Sequence, residues 1–279
     1  MAGILLGGFL AAVSLGISIV FGYLDIVNIA HPAFVVLGSY AVYILNSTFG
    51  IDPLLAGIAM AAPFYLLGIL IYRFYYAFFE RHGAESLRGL VFFFGILFLV
   101  EVGLNITYGV DYRMVNAFYL GKSIEIGLVG IPYRLLIPFV AGVVMIFIVY
   151  LYLSKTFYGM AIQGVAQDSL AARLMGADPI KIKSVAFGMG MATASVAGAL
   201  LIMISPIEPS MGREYIGRVF AIAVLGGMGS VVGTLVAAVL LGIAESLTST
   251  FYSPSMAPAV SFGILLLVLA IRPSGIFGR

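Results

Sequence analysis

Few residues of this 279-residue chain are of types that support covalent or metal chemistry. There is no cysteine, and the two histidines, His31 and His82, are far apart in sequence and lie in no nucleophile–base motif. We therefore expect no disulfide, no thiol nucleophile and no metal site. The chain also lacks the Gly-x-x-x-x-Gly-Lys-[Ser/Thr] motif that holds nucleotide phosphates, so we predict that it is not an ATPase and holds no cofactor.

Apolar residues dominate the elements that must position any functional group. Hydrophobic residues make up 62% of the chain and charged residues only 9%, whereas a soluble domain carries about 25% charged residues. Runs of about 20 apolar residues match the length of a membrane-crossing helix. The sequence predicts an all-α polytopic membrane protein, one transmembrane domain over 1–279 with about eight transmembrane segments. These lie near residues 2–22, 33–47, 53–73, 89–108, 132–153, 184–205, 217–247 and 257–271. The net charge of +2 argues against a nucleic-acid-binding surface.

Lysine and arginine residues orient these segments, because short basic loops stay in the cytoplasm. The basic loops 73–88 and 155–183 are predicted to be cytoplasmic, and the connection 47–53, which has no basic residue, is predicted to face outside. The stretch 109–131 is predicted to form an ordered extracellular hairpin or loop. Single crossings counted from the 155–183 loop would leave the C-terminus outside, although Arg272 favours the inside.

Two interruptions of the apolar segments predict discontinuous helices near 22–32 and 226–230. Irregular backbone at membrane depth persists only where protein or a water-filled cavity surrounds it, and paired interruptions point to a transport path. The second interruption could also split 217–247 into a half-helix, a break and a further helix, which would change the crossing count. The predicted path residues are Asn28, His31, Gly226, Gly227, Gly229 and Ser230. For Asn28 and His31 the alternative is that they cap or staple the helix break.

Two carboxylates fall within the predicted spans. Glu101 lies well inside the span 89–108, where an ionisable group is costly unless it is paired or hydrated. It is either a path residue or a protonated, hydrogen-bonded structural group. Glu245 lies nearer the end of its segment and is predicted to be interfacial.

The loop 155–183 is the most informative stretch for function. Its residues 166–175 predict a short helix, which Gly176 ends and Pro179 prevents from continuing. A short cytoplasmic helix with a small, flat face suits docking by another protein. The residues on this face and at its margins are Asp168, Ala171, Ala172, Arg173 and Met175.

The same loop resembles the coupling loop of ABC importer permeases, in which an acidic residue, an alanine pair and a glycine dock into the ATPase. Asp168 precedes Ala171 and Ala172 by three positions, and Gly176 follows them. Three further stretches are similar to branched-chain amino-acid permeases, namely 16–40, 223–233 and the ending 272–278. Because four motifs occur in family order along nearly the whole chain, the sequence resembles the smaller permease subunit of ABC importers for branched-chain or other hydrophobic amino acids.

The resemblance implies a division of labour among subunits in the bacterial inner membrane. It implies a second permease subunit, usually in a heterodimer, two ATP-binding subunits that dock on 168–176, and an extracytoplasmic substrate-binding protein that delivers a small amino acid. One departure is Pro32, because many relatives have glycine after the histidine. An ion-coupled secondary transporter or channel for small amides or carboxylates, with Glu101 as its proton site, is the alternative, and a non-transporting scaffold is a third.

Overall fold

The computed structural model describes residues 1–82, 85–126, 129–272 and 275–278, and within these ranges the chain is almost entirely helical. The α-helices are α1 Ala2–Leu24, α2 His31–Phe49, α3 Pro53–Phe78, α4 Glu85–Tyr108, α5 Tyr133–Lys155, α6 Phe157–Gln167, α7 Ser169–Leu174, α8 Pro179–Ile204, α9 Gly212–Gly226, α10 Val231–Phe251 and α11 Ala257–Ile271. The strands β1 Ser123–Ile126 and β2 Val129–Pro132 form an antiparallel hairpin. Among the described residues, eight helices are long and apolar enough to cross a membrane, which confirms the predicted polytopic helical class.

The centre of the bundle is formed by α1 and α8, the most buried of the membrane-spanning helices. They cross at Gly16 and Gly190, where a β-carbon on either glycine would lie within 3.0 Å of the carbonyl oxygen of the other. Small residues allow this approach, and in lipid such packing and interhelical hydrogen bonds hold helices together. One such bond runs from the Ser39 hydroxyl of α2 to the Gly198 carbonyl oxygen of α8, at 2.7 Å.

The helices before and after α5 repeat one arrangement in opposite orientation. α1 packs mainly along α10, and α8 packs mainly along α3. Gly3 lies against Gly242 and Gly22 against Gly229, so α1 and α10 are antiparallel, as α8 and α3 are. A one-turn 3₁₀ helix precedes both α4 and α11. The helices α1–α4 and α8–α11 therefore form an inverted-topology repeat, an architecture in which transporters place substrate sites at the repeat interface.

One end of the bundle gathers the basic loops that were predicted to be cytoplasmic. The Lys183 ammonium lies 2.6 Å from a Glu80 carboxylate oxygen, which joins the start of α8 to the end of α3. The last turn of α1, the α5–α6 junction and the start of α10 line one cavity at the same end. We call this the basic end, and by the positive-inside rule it faces the cytoplasm.

The segment 205–226 enters the bundle through a one-turn 3₁₀ helix, Pro209–Met211, and continues as the half-helix α9. Ile207 pairs with Arg113 at the end opposite the basic end, and Gly212, the first residue of α9, lies against Ala33 in the bundle. The residues 217–247 accordingly belong to two helices, α9 and α10, with a break between them, as the sequence suggested.

This additional pass settles the side on which the chain ends. The Ile276 backbone N–H donates to the Leu225 carbonyl oxygen at 2.8 Å, next to the start of α10. The C-terminal tail therefore lies at the basic end together with Arg272. The conflict between the crossing count and the positive-inside rule arises because the count takes 217–247 as a single span and so omits the pass that ends with α9.

The opposite end carries the β1–β2 hairpin, which confirms the ordered hairpin predicted in 109–131, although the turn residues 127–128 lie outside the described ranges. Side chains tie this region to the α2–α3 connection. The Asn46 amide donates to the Asn116 carbonyl oxygen at 3.2 Å, and the Tyr119 hydroxyl donates to Asp52 at 2.7 Å. Burial, together with this bond to Asp52, raises the pKa of Tyr119.

Candidate coupling surface and translocation path

The short helix α7 at the basic end is held by a side-chain cap at its start. Asp168 has an extended backbone, and its Oδ1 accepts hydrogen bonds from the N–H groups of Leu170 and Ala171 at 2.8 and 2.9 Å. An aspartate at this position satisfies backbone donors that have no partner within the helix. Asp168, expected at the margin of the exposed face, is therefore the residue that starts the helix.

The end of α7 is fixed by a Schellman motif. The Ala177 N–H donates to the Ala172 carbonyl oxygen and the Gly176 N–H donates to the Arg173 carbonyl oxygen, both at 3.0 Å. Gly176 has a φ of +85°, a conformation that L side chains rarely adopt, which confirms the predicted glycine stop. Asp178 then caps α8 through the Ile180 N–H at 3.1 Å. Capping hydrogen bonds thus fix the start and the end of α7 and the start of α8.

The predicted helix over 166–175 was placed a few residues too early. The structure has a separate helix α6 before it, whose N-terminus is capped by the Thr156 hydroxyl accepting from the Gly159 N–H at 3.1 Å. The extended backbone of Asp168 separates α6 from α7, so Ala166 belongs to α6. Asp168 and Ser169 are residues that favour helix caps over helix interiors, and sequence reasoning missed this division because it took Asp168 as an interior residue of one helix.

The surface of α7 is exposed along its whole length, and no residue of the helix is buried. Ala171 and Arg173 are exposed and Ala172 is half-buried. The largest exposed apolar side chains are Leu170, Leu174 and Met175, which are 66%, 82% and 88% exposed. Leu170 and Leu174 were not among the predicted coupling residues, although their spacing of four places them on one helix face.

A cavity of about 480 Å³ lies beside this helix, between α3, α6 and α8. Its lining includes Arg73, Tyr158, Met175, Gly176 and Lys181. Asp178 also lines the cavity, 3.3 Å from the Lys181 ammonium. The exposed apolar side chains of α7 therefore lie next to a concave surface at the same end of the bundle, a combination that suits docking by a partner with a complementary apolar surface.

The first predicted helix break lies deep within the bundle. Asn28 and His31 are 0% and 1% exposed. The Asn28 Oδ1 accepts from the Ala30 N–H at 3.1 Å, and the His31 Nε2 lies 3.1 Å from the carbonyl oxygen of Val13, in the middle of α1. These contacts agree with the alternative that Asn28 and His31 cap or staple the helix break. A role of Asn28 and His31 in the path stays a prediction.

The second predicted break lies at the basic end. Gly227 and Gly229 have φ angles of +89° and +81°, and the Ser230 hydroxyl caps α10 by accepting from the Gly233 N–H at 3.0 Å. Gly226 ends α9 and packs on α10. A cavity of about 580 Å³ at this end is lined in part by Gly229 and Ser230.

The two predicted breaks do not meet. His31 contacts α1 at Val13, whereas Gly229 lies against Gly22 in the last turn of α1. At a rise of 1.5 Å per residue, these contacts are separated by about 13 Å along α1. The start of α2 instead meets the start of α9, where Gly212 lies against Pro32 and Ala33. The interrupted segments that converge at mid-depth are therefore the entries to α2 and α9.

Both carboxylates within the spans bind arginines of α9. Arg213 contacts Glu101 through two nitrogen–oxygen pairs, each at 2.7 Å, so the interaction is bidentate. Arg218 lies 3.2 Å from Glu245, which also accepts a hydrogen bond from Ser261 of α11 at 2.5 Å. Glu245 is buried in this ion pair, next to Ser246, which lies against Gly3 in the first turn of α1; its predicted position near the membrane interface stays a prediction. Sequence reasoning missed both arginines because the predicted segment 217–247 left Arg213 in the preceding loop and placed Arg218 at its very start.

A membrane-embedded inverted repeat with half-helices at mid-depth, together with a capped and exposed helix at the cytoplasmic end, defines a multi-pass transport permease. The chain matches, over residues 1–269, the family described as branched-chain amino acid transport system permease components. It belongs to this family, as the sequence motifs implied.

The relatives BraD and LivH are similar in length to this chain. It is 30% identical to the high-affinity branched-chain amino acid transport system permease protein BraD of Pseudomonas aeruginosa, over 99% of this chain and 94% of that protein. It is 28% identical to the corresponding protein LivH of Escherichia coli K12 at the same coverage. It is 25% identical to LivM of that strain over 94% of this chain but 66% of the longer LivM. No solved structure matches the chain.

Proposed function

We propose that this chain is one permease subunit of an ATP-driven importer that moves a small, largely apolar amino acid into the cytoplasm. An extracytoplasmic binding protein delivers the amino acid, a second permease completes the path, and two ATP-binding subunits drive transport across the bacterial inner membrane. The relatives BraD, LivH and LivM are named as branched-chain amino acid permeases, and LivH and LivM are two different permeases of one strain. These names support a branched-chain amino acid as the cargo and a heterodimer as the assembly.

The observation that carries the proposal is the exposed helix α7. A chain without a nucleotide-binding loop must sense the nucleotide state of its partners by contact, because a ligand shifts a conformational equilibrium only by interacting differently with the two states. The exposed side chains at the basic end are those of Leu170, Leu174 and Met175. Leu170 and Leu174 belong to α7 and Met175 follows it directly, and α7 is capped at both ends. A rigid, apolar and uncovered helix joined directly to the central helix α8 can transmit such a contact to the middle of the bundle.

The ion-coupled alternative depended on Glu101 as a proton site. Glu101 is instead 8% exposed and held through both carboxylate oxygens by Arg213. This arrangement favours a partnered charge over a free proton carrier. The scaffold alternative gives no reason for α2 and α9 to begin in the middle of the bundle, since such helix starts leave backbone groups in need of partners.

The test is uptake by a reconstituted complex. The chain is co-expressed with the second permease and the two ATPases of its own genome, placed in liposomes with ATP on the α7 side, and supplied with the binding protein and radiolabelled leucine on the other side. We expect uptake that requires both ATP hydrolysis and the binding protein. Uptake that proceeds without ATP, or that follows an imposed proton gradient, would contradict the proposal.

A further inference from the structure

The first turn of α9 is a charged surface at membrane depth that the packing of the chain does not explain. Gly212 lies against Ala33, next to His31, whose ring contacts the middle of α1. The start of α9 is therefore near the middle of the membrane-crossing helices. Arg213 and Glu214 follow immediately, and both are exposed.

The exposed fraction of the Arg213 side chain is 53%, whereas that of its partner Glu101 is 8%. An arginine exposed to hydrocarbon at this depth would be costly, and ionisable residues in membrane segments almost always face a bundle interior or a water-filled cavity. Glu214 adds a second exposed charge on the same turn. The surface in front of these two residues is therefore a place for water or polar groups and not for lipid.

The contacts of Arg213 hold its guanidinium in place but leave part of it free. Its Nε and Nη2 atoms bind Glu101, and the guanidinium lies 5.6 Å from the centre of the Phe98 ring. Its third nitrogen, Nη1, has no part in this pair, and its N–H groups can bind another acceptor. Glu101 thus acts as a positioning residue for Arg213.

The ionic groups of a free amino acid match this surface. The α-carboxylate is an acceptor that suits a guanidinium, and the α-ammonium is a donor that suits a carboxylate. Such an amino acid needs compensation for both charges while it crosses the hydrocarbon layer. An apolar side chain can pass along the neighbouring exposed ring of Phe98, which is 48% exposed.

We propose that the first turn of α9 lines the translocation path and that Arg213 and Glu214 contact the carboxylate and the ammonium of the amino acid in transit. This inference rests on the proposed function and names the path surface within it. Arg213 and Glu214 are not among the path residues predicted from the sequence, and they lie at the depth where α2 and α9 begin. The second permease closes the path from the other side.

The first test is access of water, and the absence of cysteine from the chain makes it direct. Glu214→Cys is compared with Leu66→Cys, at a position of α3 where the leucine side chain is 60% exposed. Both are assembled with cysteine-free partner subunits and treated with a charged methanethiosulfonate reagent. We expect Glu214→Cys to react at least about tenfold faster than Leu66→Cys, because charged reagents do not enter hydrocarbon.

The second test separates a path contact from a structural ion pair. The double variant Glu101→Gln, Arg213→Gln keeps a hydrogen-bonded pair without charge, and Glu245→Gln, Arg218→Gln does the same for the other ion pair of α9. We expect the first double variant to assemble with normal thermal stability but to lose at least about tenfold in uptake, as a missing charge-assisted contact implies. The second double variant should keep uptake within about twofold, since its pair is buried and structural.

The outcomes distinguish this inference from the proposed function. If the wild-type complex shows no ATP-dependent uptake, the proposed function fails. If the wild type transports leucine but Glu214→Cys is as unreactive as Leu66→Cys with and without ATP, the first turn of α9 is not in the path. Equal uptake by the two double variants would likewise remove Arg213 from contact with the cargo.

Discussion

The backbones of α1 and α8 touch at Gly16 and Gly190, where a β-carbon on Gly16 would lie 2.5 Å from the Gly190 carbonyl oxygen. The same β-carbon would collide with the ring of His31. This crossing therefore fixes the position of α2 as well as that of the two central helices.

Enlarging Gly16 should therefore destabilise the fold. We expect Gly16→Val to lower the free energy of unfolding by about 1–3 kcal/mol or more, because overpacking forces backbones apart. Gly103→Val is the control, since a β-carbon at Gly103 of α4 meets nothing within 4 Å. Thermal unfolding of the two purified variants in detergent measures the difference. Equal melting temperatures would show that α1 and α8 do not cross at this pair.

We expect the C-terminus to lie on the cytoplasmic side of the membrane. Phe277, in the tail that binds α9, should lie on the same side of the membrane as Gln167 at the end of α6, and Ser47 at the end of α2 should lie on the other side. Single cysteines at these three positions are labelled in intact cells by an impermeant thiol reagent. We expect labelling from outside only for Ser47→Cys. Outside labelling of Phe277→Cys would mean that 205–226 does not complete a crossing.

We expect the ion pair between Glu80 and Lys183 to give a measurable coupling free energy between the two basic loops. In a double-mutant cycle with Glu80→Gln and Lys183→Met, we expect a coupling free energy of about 0.5–3 kcal/mol, because contacting residues in one network are not additive. The pair is mostly buried, with side chains 12% and 22% exposed. The exposed pair Asp178–Lys181 is the matched control, for which about 0–1 kcal/mol is expected. A coupling no larger than that of the control would contradict the packing of the α3–α4 loop on α8.

The glycine break after α9 should be sensitive to a single methyl group. Gly227 has a φ of +89°, and a β-carbon there would collide with the backbone of Gly278 in the C-terminal tail. We expect Gly227→Ala to cost about 1–3 kcal/mol through backbone strain and to free the tail for proteolysis. Gly164→Ala, in the exposed middle of α6, meets nothing within 4 Å and should be neutral or stabilising. Unchanged protection of the tail in Gly227→Ala would argue against this packing.

The sequence predicted the helical class, the basic end and the outer hairpin because each depends on local composition, namely apolar length, basic loops and turn residues. It did not predict the inverted repeat, because the two halves share an order of elements and contacts rather than a visible repeat of residues. The stop at Gly176 followed from glycine alone, whereas the division of α6 from α7 depended on a cap at Asp168. Local signals thus located the short helix α7 to within a few residues.

The path was harder to predict than the coupling loop. Asn28 and His31 stood out as polar residues in an apolar segment, yet their side chains contact the backbone of their own bundle. Arg213 and its partner Glu101 are 112 residues apart in the chain, so only the tertiary fold shows that the two charges meet. A short half-helix such as α9 also lacks the length of a membrane span, which is the signal on which sequence reasoning depends.

The central claim is that partner ATPases drive this chain through α7, and one substitution tests it most directly. Gly176→Leu strains a left-handed turn at a cost of about 1–2 kcal/mol and puts a bulky side chain on the docking surface. Gly50→Leu imposes a similar strain at the opposite end of the bundle, since Gly50 also ends a helix, with a φ of +65° and free space around it. ATP-dependent leucine uptake by the two reconstituted complexes is compared, with Ala172→Trp as a second obstruction of the same surface. We expect Gly50→Leu to transport at near wild-type rate, and Gly176→Leu and Ala172→Trp to insert normally but to lose uptake. Normal ATPase assembly and normal uptake in both α7 variants would contradict the account.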